Sequence, residues 1–304
     1  MKDIQIIGLD VGRGYVKGYT EHNGIPNSCL FKSVTALGRM MDFKDYKDPI
    51  FLEVDKDEYF VGVLAEKEGH NPIQNLKDDK TTPTVQKLVN AALNELAVCD
   101  NVKIMLGVPN KLFKKSELQK IKQTYKDKIV NIKDKISNSY KKIKIDDIEI
   151  YREGDAALLW HMQNYNMNSN DIGMVTIGFR TTEFSYYDKG LMFNNLKSST
   201  EELGNKDALE YIQKRISTDN IMRKLHEIDS SDRYDDLKEI AYRDLTESIE
   251  QQIESKWPNL NELDVFIAGG TALNMNFNTY PVVEDSQMIT AKGLFLVALS
   301  RFSS

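Results

Sequence analysis

Apolar and polar positions along the chain alternate between two periods. Residues 4–9 are an almost unbroken apolar run and predict a buried strand. A turn at Gly12-Arg13-Gly14 leads into a second strand at 15–20. That connection is too short for a crossover, so the pair predicts a hairpin. Segments 51–54 and 59–63, split by Asp55-Lys56-Asp57, predict another. Val85, Leu88, Val89, Ala92 and Leu96 recur at helical spacing, so 84–98 predicts a helix with one buried face. A strand at 103–107, a lysine-rich helix at 114–127, a strand at 145–151 and a helix at 154–164 follow.

The order then repeats. Strands at 174–177 and 183–187 flank a glycine turn, and Lys189-Gly190 turns into a third strand at 191–196. Helices are expected at 207–215 and 234–255, a buried strand at 264–268 ending in Gly269-Gly270, and a last helix at 291–302. No short repeat points to a solenoid. The echo of hairpin, strand and helices predicts an α/β protein of two domains of related architecture, with the boundary near 153–155.

Composition narrows the function classes. The 304 residues are 41% hydrophobic and 28% charged, as in soluble globular proteins. A net charge of -6 argues against a nucleic-acid binder. Cys29 and Cys99 lie far apart and the four histidines are scattered, so free thiols are expected and a His/Cys metal site is not. The first residues are too short and acidic a stretch for a signal peptide, and no apolar run of about 18 residues occurs. A cytoplasmic protein without membrane contact is expected. The lysines from Lys111 to Lys144 read as a solvated face or as a DNA- or filament-facing surface. Segment 71–83, with Asp78, Asp79 and Lys80, reads as a loop carrying ordinary surface charges, with a filament contact as the alternative.

Three glycine turns, at 10–14, 178–182 and 268–271, each follow a buried strand. Phosphate oxygens need convergent backbone N–H groups, and glycine permits the close approach. Asp10 at a strand end is placed to hold waters around Mg2+, and Lys17, one strand away, to reach a phosphate.

The run GLDVGRGYVKGY resembles the first phosphate loop of the actin, Hsp70 and sugar-kinase superfamily, and more narrowly that of the plasmid-segregation actins of the ParM/StbA type. Further resemblances follow in family order. They are Tyr59-Phe60-Val61-Gly62, Met105-Leu106-Gly107-Val108-Pro109, Glu153-Gly154-Asp155-Ala156-Ala157, Ile177-Gly178-Phe179-Arg180-Thr181-Thr182-Glu183, Ile267-Ala268-Gly269-Gly270-Thr271-Ala272, Asp285-Ser286-Gln287-Met288 and Ala291-Lys292-Gly293-Leu294.

The resemblance implies an actin-like fold around a nucleotide cleft, with domain I at 1–154, domain II at 155–284 and the last helix, about 285–304, packed back on domain I. Asp10 would organise hydrated Mg2+, and Glu153 would position or activate water. Gly12, Arg13, Gly14, Tyr15 and Lys17 would form the first nucleotide contact. Gly178, Arg180, Thr181 and Thr182 would form the second, and Gly269, Gly270 and Thr271 would lie beneath the nucleoside. The implied ligand is ATP, with GTP as an alternative. The implied activity is an ATPase that assembles with itself into filaments and moves plasmid DNA through a DNA-binding adaptor at the centromere. Thr176 stands where the superfamily usually has Asp, which predicts slow hydrolysis. A small-molecule kinase with Asp155 as base, and a nucleotide-binding scaffold with little catalysis, are the alternatives.

Overall fold

The protein is described by a computed structural model covering residues 3–163 and 170–302. The chain divides into two compact units, Met1–Trp160 with Thr290–Ser304, and His161–Ile289.

The first unit runs β1 (Ile4–Val11), β2 (Tyr15–His22), β3 (Ile25–Lys32), β4 (Val34–Leu37), β5 (Ile50–Val54), β6 (Asp57–Val61), α1 (Val63–Glu68), β7 (His70–Gln74), α2 (Pro83–Leu96), β8 (Asn101–Val108), α3 (Lys115–Tyr125), β9 (Ile129–Asp134), β10 (Ser139–Arg152) and α4 (Glu153–Met162). Among the described residues these strands form one sheet, ordered β3-β2-β1-β8-β10-β9-β5-β6-β4-β7. The predicted first hairpin is present, with Asp10 directly opposite Lys17. β8 lies parallel to β1, and α2 supplies the crossover that a parallel pair requires. Thr82 caps α2 by accepting from the Val85 N–H, and Pro83 stands at its first turn, where a missing N–H costs nothing. The inward face of α2, Val85, Leu88, Val89, Ala92, Leu93 and Leu96, is buried in the unit's core.

β10 serves two neighbours. Its first half pairs antiparallel with β9, and after an irregularity between Ile145 and Asp147 it continues parallel to β8. It therefore delivers Arg152 and Glu153 beside the end of β8.

The second unit contains β11 (Asp171–Ile177), β12 (Thr182–Asp188), β13 (Met192–Phe193), β14 (Ser199–Glu201), α5 (Asn205–Ser217), α6 (Leu225–Asp229), α7 (Asp235–Lys256) and β15 (Leu263–Ala268). β11 and β12 pair antiparallel across the glycine turn expected between 177 and 183, and β15 lies parallel to β11 as β8 does to β1. The expected repetition of architecture is therefore present. Tyr186 and Tyr187 are buried.

The last helix, α8 (Ile289–Phe302), completes the first unit. Leu294, Val297 and Ala298 pack with Met105 and Ala156. Two glycines allow this approach. A Cβ at Gly293 would lie 1.8 Å from the Ala156 carbonyl oxygen, and one at Gly8 only 2.3 Å from the Phe295 nitrogen. Both obstacles are backbone, so neither can swing aside. Gly293→Ala is expected to lower the unfolding free energy by at least about 1–3 kcal/mol, the usual cost of overpacking. A urea titration followed by circular dichroism checks this; an unchanged midpoint would mean that α8 is not seated here.

Some expectations are corrected. The strand expected at 59–63 stops at Val61, because Gly62 turns with φ 70° and Val63 opens α1. The strand expected at 191–196 is reduced to Met192–Phe193, and Leu196 is 95% exposed. Segment 71–83 is not simply a loop: it begins within β7, and Lys80 is 6% exposed. The last residue of the helix expected at 154–164, Asn164, and residues 303–304 of the last helix lie outside the described residues.

Candidate functional site

In the first unit, chemistry collects at the C-terminal end of β1. The Lys17 Nζ lies 2.8 Å from Asp10 Oδ2, in a pair whose side chains are 16% and 6% exposed. Asp10 Oδ1 is also buried but has no hydrogen-bond partner among the described residues. A buried carboxylate oxygen with no donor is costly unless something arrives to use it.

The turn between β1 and β2 is tied down from several sides. Its Gly12 N–H donates to the Tyr15 carbonyl at 3.1 Å. The Gly12 carbonyl accepts from Ser33 Oγ at 2.7 Å and from Asn75 Nδ2 at 3.2 Å. The Ser33 N–H donates to the Gly14 carbonyl at 2.9 Å. A Cβ at Gly12 would meet the Tyr15 oxygen at 2.9 Å, so glycine keeps the turn low. The Gly12 N–H is thus used inside the turn. Arg13 forms an ion pair with Asp78, which Lys111 Nζ also reaches at 2.9 Å. Burial raises the Asp78 carboxyl, but these two cations outweigh it and hold it below the usual range.

Lys80 was missed by sequence reasoning. Its Nζ donates to the Val11 carbonyl at 2.8 Å and lies 3.4 Å from Glu153 Oε1. The Tyr125 hydroxyl holds the Lys80 carbonyl at 2.7 Å. Asp10, Lys17, Glu153 and Lys80 therefore form one network of alternating charge. Burial raises the Glu153 carboxyl above its ordinary value, with Lys80 opposing and Asp10 reinforcing the shift. Burial works against the Lys17 ammonium, but Asp10 and Glu153 prevail and raise it. The only available sequence signal for Lys80 was a lone lysine two residues ahead of a helix cap, which is not specific.

The second unit repeats the turn. Gly178 N–H donates to the Thr181 carbonyl at 2.9 Å, as Gly12 does to Tyr15. The Gly178 carbonyl accepts from Thr271 Oγ1 at 2.9 Å and from the Asn205 N–H at 3.2 Å. The 178 turn and the 269–271 turn are therefore brought together. Gly269 has φ 101°, and a Cβ there would lie 2.2 Å from the Ile177 carbonyl oxygen, so only glycine fits. Gly270 opens a short 3-10 turn, and a Cβ on it would lie 3.4 Å from Gln287. Thr182 is fully buried and its hydroxyl donates to the Leu203 carbonyl at 2.8 Å, so this side chain braces the loop. Arg180 Nε reaches Glu202 at 2.7 Å.

The cross-strand pair after each turn differs. Where the first unit has Asp10 opposite Lys17, the second has Thr176 opposite Glu183. Thr176 Oγ1 is buried without a hydrogen-bond partner among the described residues. Placing Asp at 176 alone would set two carboxylates side by side, which is unfavourable. Thr176→Asp is expected to lower the melting temperature, and Thr176→Asp with Glu183→Lys to recover it. Thermal melts of the two variants check this; equal melting temperatures would show that the pair does not interact.

Two other groups of residues have partners of their own. Asp155 is 5% exposed and accepts from Arg152, whose Nε lies 2.6 Å away. The lysine-rich segment is largely neutralised within the chain, through Lys120 with Asp79, Lys122 with Glu149, Lys126 with Asp147 and Lys144 with Asp146. Lys141 is directed onto the carbonyls of Asn94 and Ala97.

Residues 8–154 match the family described as the N-terminal domain of actin-like proteins. No curated protein matches by sequence. Among solved structures, Ta0583, an archaeal actin homolog, superposes with a TM-score of 0.83 at 17% identity, covering 97% of this chain and 99% of that one. A 15-stranded ParM filament from Clostridium botulinum gives 0.83 at 21%, covering 99% and 100%. Bacillus thuringiensis ParM with ATP gives 0.73 at 14%, covering 100% of both.

Proposed function

From an actin-like fold and a match of residues 8–154 to the N-terminal domain of actin-like proteins, we propose that this chain is a polymerising nucleotide-binding protein with slow ATPase activity. The carrying observation is the pair of Asp10 and Lys17 at the first glycine turn, with Asp10 Oδ1 buried and lacking a donor. That oxygen suits a water of hydrated Mg2+, since this ion keeps much of its water shell and is held by one or two carboxylates. Bound there, Mg2+ would neutralise charge on the β- and γ-phosphates.

The chain's own groups would do the remainder. Lys17 would share its ammonium between Asp10 and a phosphate oxygen. Gly12 and Gly178 would keep the turns low enough for phosphate to approach the other residues of each turn, Arg13, Gly14 and Tyr15 in one, Arg180 and Thr181 in the other. Gly269, Gly270 and Thr271 would support the nucleoside. Glu153, steadied by Lys80, would orient the attacking water and take up its proton. Positioning and charge stabilisation are the main demands of phosphoryl transfer.

Two of the structural relatives support assembly. One of them is a ParM filament, and another is described as a non-polymerisable ParM mutant. A head-to-tail contact that does not close gives an open filament. The proposal places this chain in the cytoplasm, moving plasmid DNA through a DNA-binding adaptor. Among the described residues, no helix is long and apolar enough to cross a membrane.

The test is right-angle light scattering after addition of Mg-ATP to the purified protein, with ADP and GTP as controls and electron microscopy of each sample. A rise with visible filaments supports the proposal. A flat trace over a wide concentration range, with no filaments, overturns polymerisation. Thr176 favours a second reading, a nucleotide-binding scaffold with little catalysis. Filaments without phosphate release would select it.

A further inference from the structure

Two of the scattered histidines and cysteines converge with an aspartate at the other end of β1. Asp3 directly precedes β1, His22 closes β2, and Cys99 lies between α2 and β8. His22 Nε2 is 3.4 Å from Asp3 Oδ2, and Cys99 Sγ is 3.7 Å from the same nitrogen. One ligand atom from each residue falls within 4.8 Å of the others.

These separations have a chemical meaning. Zinc binds thiolate sulfur, imidazole nitrogen and carboxylate oxygen at bond lengths that set neighbouring ligands ~3.3–3.6 Å apart around a tetrahedron. The two distances from Nε2 lie within about 0.1 Å of that range. The donors are also of the right type, since thiolate and imidazole select zinc over magnesium or calcium. The thiol lies 3.9 Å from Nδ1 as well, so it sits over the ring, and the imidazole must turn to aim Nε2 at an ion.

The backbone that carries these groups is fixed by Gln5, a 1% exposed polar side chain. Its amide nitrogen donates to Thr20 Oγ1 at 3.1 Å and to the Leu96 carbonyl at 2.9 Å. Its oxygen accepts from the N–H groups of Val98 at 2.8 Å and Cys99 at 3.3 Å. One buried amide thus clamps β1, β2 and the segment bearing Cys99 to each other. Such preorganisation lowers the ordering cost of bringing three ligands together.

We propose that Asp3, His22 and Cys99 form a binding site for a thiophilic divalent cation of the zinc class. On binding, the Cys99 S–H bond breaks, its proton leaves to solvent and a sulfur–metal bond forms. Thiolate and carboxylate together then balance the dication. Asp3 and Cys99 also border an open surface pocket with Asp100, Lys142 and Lys144, from which water would reach a fourth position. Asp3 and Asp10 stand seven residues apart along the strand, about 23 Å. The site is therefore separate from the proposed nucleotide Mg2+.

The test is titration of metal-stripped full-length protein with Co2+, whose spectrum reports ligand type and geometry. One equivalent is expected to give a thiolate-to-cobalt charge-transfer band and the visible bands of four-coordinate cobalt. Zn2+ should bleach both, and excess Mg2+ neither. Cys99→Ser should abolish the charge-transfer band, His22→Asn should weaken binding by about tenfold or more, and Cys29→Ser should change nothing. Absence of the band at one equivalent in the parent protein, or its survival in Cys99→Ser, overturns the proposal.

Discussion

Replacing Asp10 by alanine is expected to abolish Mg-nucleotide-dependent assembly and to slow phosphate release by about 10²–10³, the usual cost of one preorganised electrostatic group. The protein should still fold. Breaking a buried ion pair costs about 3–5 kcal/mol when the remaining charge is left alone. Here Lys17 keeps Glu153 as a carboxylate neighbour, so the loss should fall below that range. Asp10→Asn separates the two effects, because it preserves shape and removes the charge. Phosphate release, light scattering and a thermal melt on both variants make the comparison. Normal turnover by Asp10→Ala would mean that the site lies elsewhere.

The second large effect concerns Glu153. Glu153→Gln is expected to slow hydrolysis by about 10²–10⁴, the range for a positioned general base, while leaving nucleotide-dependent assembly in place. The raised pKa of this carboxyl gives the prediction a sign in pH. Only the ionised form can take a proton, so the parent rate should fall as pH drops through the raised value, before an ordinary glutamate would titrate. The residual rate of the variant should not show that fall. Stability runs the other way. A group whose folded pKa lies above its unfolded pKa contributes stability that is fully present at low pH and is lost as pH rises through the folded value. At neutral pH the Gln variant should therefore melt higher than the parent, and the advantage should disappear in acid. Parent-like phosphate release at neutral pH would remove Glu153 from its assigned role.

The hairpins, the main helices and the glycine turns were legible because each has a strong local signature. Buried strands such as β1 and β11 are continuous apolar runs, and their turns carry the glycines that tight geometry requires. The missed strands had weaker patterns. β3 and β7 are largely exposed, and polar edges leave little alternation to read. The first half of β10 was hidden by lysines flanking Ile143 and Ile145. In the site, Asp10 and Lys17 were legible as charges at fixed offsets from glycine. Lys80 was not, because its role depends on β1, α3 and α4 arriving at one place, and no local period encodes that. The same reasoning explains why scattered histidine and cysteine residues read as unrelated. Sequence spacing sees Cys99 as 77 residues from His22, whereas the sheet sets the two side by side.

The route of the chain through the first unit has a consequence for synthesis. That unit's core is finished by α8, yet nearly all of His161–Ile289 is translated between α4 and α8. At about 5–20 residues per second this interval lasts on the order of 10 s. By its end the second unit has been translated in full, while the surface that α8 will cover, around Met105 and Ala156, is still bare. The unit begun first is therefore sealed last. A nascent chain on the ribosome would be delayed from displaying a finished first unit until α8 has been translated.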